Sequence, residues 1–162
     1  MCPAAAQTLP PTRAMLDAGL TVAAGSDATR AASYNPWLSL SWLVTGKDIS
    51  GRPLRTGPKL IDRATALAMY TSAGAQLSGE AHVKGTITTG KYADLAVLSA
   101  DYLSVDAADI SRIESVLTIV GGKIVWSSAE FEGLAAPLPD LAPAWSPVTE
   151  FDGFRDPARG MG

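Results

Sequence analysis

The sequence predicts a mixed α/β domain, a few helices packed on a small sheet, and three stretches carry that expectation. Leu20 to Gly25, LTVAAG, is a short, largely apolar run without polar alternation, which suits a strand buried on both faces, as in a parallel sheet covered by helices. Leu60, Ala64, Leu67, Ala68 and Thr71 recur at helical spacing. Val116 to Trp126, VLTIVGGKIVW, sets two β-branched runs around a Gly-Gly pair. Both central positions of a tight hairpin turn need positive φ, so this stretch reads as a hairpin with Lys123 to Trp126 as its second strand.

The remaining elements fall around these. Residues 8–79 alternate helix-like and strand-like patterns. Thr12 is placed to cap a short helix ending at Asp17, with Gly19 where a helix C′ glycine belongs. A second helix is expected from Pro36 to about Val44, since proline is tolerated in a first turn. GKDISGRPLRTGPK is dense in glycine and proline and reads as a loop. Asp62 is positioned to cap the helix that follows, and a further helical turn is expected over Gly74 to Leu77. Residues 83–126 are β-rich: GTITTGKYADLAVLS carries a short strand, a Thr-Thr-Gly turn and an apolar strand from Leu95 to Leu98. Residues 127–162 collect proline, glycine, serine and aspartate without a sustained period and read as an irregular tail, with Trp145, Phe151 and Phe154 as candidate anchors.

Bulk properties bound the function. At 162 residues the chain suffices for one domain with a core, but a complete (β/α)8 barrel needs about 200 residues or more. The composition, 47% hydrophobic and 18% charged, is that of a globular protein. A net charge of −3 leaves no basic excess to neutralise phosphates, so no nucleic-acid partner is expected. Cys2 is the only cysteine, which excludes an intramolecular disulfide framework. The opening residues lack a basic segment followed by an apolar one, and no apolar run approaches the roughly 18 to 20 residues of a membrane span. The expectation is a cytoplasmic protein without a membrane partner.

Chemistry-bearing candidates are few. Gly25-Ser26-Asp27 follows the apolar run directly. In barrels of alternating strands and helices, residues at the C-terminal ends of strands point into the active site. A carboxylate there binds a cation through oxygen and accepts a proton from water. An aspartate after a strand also serves commonly as a cap or turn residue. Lys91 and Asp94 form an imaginable acid–base pair, but Asp94 beside a strand start is better placed to bond turn backbone. Neither GTITTG nor VGGK has the pattern of a phosphate loop, and His82 lacks the serine motif a triad needs. Trp37 and Trp42 fit core packing, although Trp37 follows the Asp27 loop closely enough to line a pocket and contact substrate.

Together, Gly25-Ser26-Asp27-Ala28, Asn35-Pro36-Trp37, ATALAMYTSAGA (64–75), GTITTGKYADLAVLS (85–99) and TIVGGKIVW (118–126) resemble the amidohydrolase superfamily. Within it they look most like the group acting on N-substituted amides and formamides, amidohydrolase family 3. The resemblance implies a metal-dependent hydrolase of non-peptide carbon–nitrogen bonds. It further implies that residues 8–79 are the truncated end of the catalytic (β/α)8 barrel, last strand and helices. Residues 83–126 would then be part of the composite β-sandwich beside it. By the same resemblance Asp27 is both metal ligand and catalytic proton acceptor, toward a divalent cation that is zinc in many relatives.

The departure from the pattern is as telling. The family's histidine ligands lie on earlier barrel strands, and this chain has one histidine, His82, which matches no ligand position. A catalytic zinc takes about three protein ligands, so the isolated chain is expected to lack a complete site. Two expectations follow: a complementary chain or a longer gene supplies the missing barrel, or the protein is an inactive remnant that covers its exposed edges by forming homo-oligomers. The substrate stays open among amide, formamide, urea-like and cyclic imide bonds.

Overall fold

The computed structural model describes residues 10–28 and 33–137. It is an α/β structure whose sheet is small and antiparallel, in the order β1-β2-β3. Helices α1 (Thr12–Asp17), α2 (Pro36–Thr45), α3 (Arg63–Tyr70) and α4 (Ser72–Leu77) precede strands β1 (Leu95–Leu98), β2 (Ser115–Val120) and β3 (Lys123–Ser127).

Local sequence explains most boundaries. Helix α1 begins at Thr12 itself, with Pro11 at the cap position and no side-chain cap bond, so Thr12 is a buried first-turn residue rather than the expected cap. Gly19 ends the turn at φ 76, and the Leu20 N–H closes back on the Met15 carbonyl at 3.1 Å. At α2 the Asn35 side chain accepts from the Trp37 N–H at 2.9 Å, and Pro36 occupies the first turn, where its missing N–H costs nothing. Asp62 caps α3 as anticipated, accepting from the Thr65 N–H at 2.9 Å. That bond holds the Asp62 carboxyl below the usual carboxylate range. The Gly/Pro-rich loop is indeed irregular, apart from a Lys47–Pro53 bridge and a short 3-10 helix, Gly57–Lys59.

The core lies among α2, α3 and a segment that carries little periodic signal, residues 102–113. Leu40 and Leu43 of α2, Ile61, and Ala66 and Met69 of α3 close on Tyr102, Ile110 and Ile113, all buried. The 3-10 helix Ala107–Arg112, capped by Asp106, delivers Ile110 to that core. Arg63 clamps the segment to the start of α3. Its guanidinium donates to the carbonyls of Tyr102 and Val105 at 2.5 Å each, and the Tyr102 hydroxyl donates back to the Arg63 carbonyl at 3.0 Å.

The hairpin forms as read. Gly121 and Gly122 have φ 55 and 79, and β2 and β3 pair from Val120↔Lys123. Asp94 accepts from the Gly121 N–H at 2.7 Å, so its role is to bond turn backbone, across to the hairpin.

Two expected strands are absent. Leu20 to Ala24 forms no strand, and Leu20 is 54% exposed rather than buried. An apolar run becomes a strand only where a neighbour offers a ladder, and here the segment is held by the Ala24 N–H on the Met69 carbonyl at 3.0 Å. Val22 and Ala24 nevertheless face the core. The short strand expected at Gly85 to Ile87 is loop, with Ile87 90% exposed. Lys91 organises that loop instead, its ammonium donating to the carbonyls of Ala81 (2.6 Å) and Lys84 (3.3 Å) and to the Thr86 hydroxyl (2.7 Å). Of the tail, a 3-10 turn over Ala129–Phe131 is described; Trp145, Phe151 and Phe154 lie outside the described residues.

Candidate functional site

The Leu20–Ala24 segment leads straight into Gly25-Ser26-Asp27, and Asp27 adopts φ 49. That left-handed conformation is uncommon for a residue with a side chain, and aspartate is among the few that tolerate it. The turn leaves Asp27 exposed at the end of a segment that packs on the core through Val22 and Ala24. Its two predecessors, Gly25 and Ser26, line a cleft of about 1070 Å³ bounded by α2 and by the 3-10 helix at 107–112.

The cleft is rich in hydroxyls, among them Ser26, Ser41, Thr45 and Ser111, with Trp42 as its aromatic wall. Its two acids are already committed. Asp48 accepts from Ser50 Oγ at 2.6 Å, from the Ser50 and Arg52 N–H groups, and pairs with the Arg52 guanidinium at 3.1 Å. The Ser50 hydroxyl, foremost, holds the Asp48 carboxyl below its ordinary range. Asp106 spends an oxygen capping the 3-10 helix, on the Ala108 N–H at 2.9 Å. Both therefore build the cleft wall.

Trp37 and Trp42 part company. Trp37 turns inward, half-buried, its ring 5.7 Å from that of Tyr102 at 47°, while Trp42 both lines the cleft and carries the Arg55 guanidinium over its ring. Sequence reasoning weighted Trp37 by its distance along the chain from Asp27. The helical rotation between the two tryptophans decides otherwise which of them meets the cleft.

His82 is exposed in the turn after α4, and Lys91 and Asp94 are each bonded to backbone, so neither offers a catalytic group. Among the described residues no group of three or more His, Cys, Asp or Glu side chains is disposed to hold a metal ion. The residues present thus do not by themselves fit the metal centre that the resemblance implies. No helix among the described residues is long and apolar enough to cross a membrane.

The comparison with protein families decides the lineage: residues 1–126 match the model of the amidohydrolase family. The chain belongs to the amidohydrolase family. A curated relative, the N-substituted formamide deformylase of Arthrobacter pascens, is 32% identical over 113 residues. That stretch covers 69% of this amidohydrolase chain and 20% of the deformylase, so the chain spans about a fifth of its relative's length. No solved structure matches this amidohydrolase chain.

Proposed function

We propose that this amidohydrolase chain supplies the closing part of a hydrolase active site that cleaves non-peptide carbon–nitrogen bonds with metal-activated water. On this reading Leu20–Ala24 is the last strand of the (β/α)8 barrel, unpaired until the rest of the barrel is beside it. Residues 83–126 belong to the composite β-sandwich. Asp27 contributes one carboxylate, as cation ligand and proton acceptor, and the remaining ligands come from sequence outside these residues. Trp42, which walls the cleft, is its candidate substrate contact in place of Trp37, which is turned toward Tyr102.

The observation that carries the reading is Asp27 itself: a non-glycine residue in the left-handed region, directly after Gly25 and Ser26 of the cleft. Uncommon backbone geometry beside a cleft is a recurrent mark of functional sites. An N-substituted formamide is the first substrate to try, since that is what the relative's name specifies.

The test is equilibrium dialysis against zinc, with elemental analysis, of two proteins: the chain alone, and the deformylase carrying this chain in place of its matching segment. With one ligand of about three, the chain alone is expected to retain well under about one zinc per ten molecules, and the chimera about one per molecule. Stoichiometric zinc on the chain alone, lost in Asp27→Ala, would show instead that the chain closes a site by itself.

A second reading has its own observation. Val97, Val120 and Val125 of the sheet are 39%, 54% and 46% exposed, and β1 and β3 are edges of a sheet of three. Such edges invite pairing. We therefore expect the chain on its own to be a homodimer or larger by light scattering; a monodisperse monomer across the micromolar range would end this reading.

A further inference from the structure

Away from the Asp27 cleft, Arg55 is a buried cation short of partners. It is 3% exposed, in the loop after α2. Its Cζ lies 3.9 Å from the centroid of the Trp42 ring, and Nη2 donates to the Trp42 carbonyl at 3.3 Å. Its Nε is buried with no hydrogen-bond partner. The ion pairs among the described residues are Arg13–Asp17, Arg52–Asp48, Lys84–Glu80 and Arg112–Asp109, and none involves Arg55. Burial depresses its pKa, with no carboxylate acting in the opposite direction. A ring face and one carbonyl compensate only part of the loss of water around a guanidinium.

Arg55 also lines a second pocket, of about 230 Å³, together with Arg13, Asp17 and Lys59. The one carboxylate there is occupied, since Asp17 Oδ1 accepts from Arg13 Nε at 2.8 Å and Nη2 at 2.5 Å. With that pair neutralised, Arg55 and Lys59 leave the pocket with two uncompensated positive charges. Pro10, Pro11 and Ala14 supply its apolar wall. The volume is below the roughly 300 to 1,000 Å³ of pockets for drug-sized ligands, but holds several times the roughly 30 Å³ share of one water.

We propose that this pocket binds a small oxyanion, of which inorganic phosphate is the probe. The anion accepts from the part of the Arg55 guanidinium not committed to the Trp42 carbonyl and from the Lys59 ammonium, and it bridges α1 to the 55–59 loop. The planar guanidinium fork suits an oxyanion better than a spherical halide. The pocket lining shares no residue with the Asp27 cleft, although Trp42, which holds Arg55, walls that cleft, and the proposal stands whether or not the hydrolase reading does.

The experiment is thermal unfolding and titration calorimetry of the 162-residue chain in sodium phosphate against sodium chloride of equal ionic strength. Phosphate is expected to raise Tm saturably, by about 4 °C or more well above its Kd, and chloride to leave it unchanged. Lys59→Gln should weaken phosphate binding by about tenfold, the loss of one charge-assisted contact, and Arg55→Met should abolish it. Should Arg55→Met not fold, Lys59→Gln decides, because Lys59 is exposed. Equal Tm in the two salts, or wild-type phosphate affinity in Lys59→Gln, would overturn the proposal.

Discussion

Gly46→Ala is expected to destabilise the chain by about 3 kcal/mol, from a left-handed backbone cost of about 1–2 and an overpacking cost of about 1–3. Gly46 ends α2 at φ 67, its N–H on the Trp42 carbonyl at 2.9 Å. Its own carbonyl receives the N–H groups of Leu54 (2.8 Å) and Arg55 (3.0 Å), so the helix end and the return of the loop meet on one residue. A Cβ there would stand 2.3 Å from the Arg55 carbonyl oxygen and 2.6 Å from Leu60 Cδ2. The first of these is backbone, pinned by the bonds just named, and has nowhere to move. Gly51→Ala is the control: φ is 80 but nothing lies within 4 Å of the added carbon. It should therefore lose only about 1–2 kcal/mol, the conformational part. Urea unfolding of both variants separates the contributions, and equal losses would mean that the close approach at Gly46 is relieved by local movement.

Elements whose signal is local were legible in the sequence. The hairpin needed positive φ at two adjacent positions, and Gly121-Gly122 has no competing reading. Asp62 announced its helix by capping chemistry and Pro36 announced its own by suiting a first turn, while the Asn35 cap is seen only in the structure. Leu20–Ala24 forms no strand in this chain because apolarity reports burial of some residues, here Val22 and Ala24, while strand formation depends on a neighbour that a short run does not specify. The 107–112 helix was not foreseen for a related reason. Its one deeply buried side chain, Ile110, leaves no period to detect, although Asp106 ahead of Ala107-Ala108 was a usable cap signal.

At the site, the sequence singled out Asp27 by its place after an apolar run and by the motifs around it. Its left-handed backbone was not visible, since aspartate is compatible with both regions. The pairing of Arg55 with Trp42 was beyond reach for another reason: thirteen positions of loop and helix separate them, and only the folded return of the loop brings them together.

The assignment of Asp27 is tested most directly by Asp27→Asn in the deformylase chimera, which keeps size and hydrogen bonding but removes the proton acceptor. Formate release from an N-substituted formamide is the readout, with zinc content as companion. A positioned general base contributes about 10²- to 10⁴-fold, so kcat/KM should fall by at least about 100-fold while most of the zinc stays on ligands outside this chain. A variant within about threefold of its parent, far inside that range, would contradict the account and return Asp27 to the role of a turn residue.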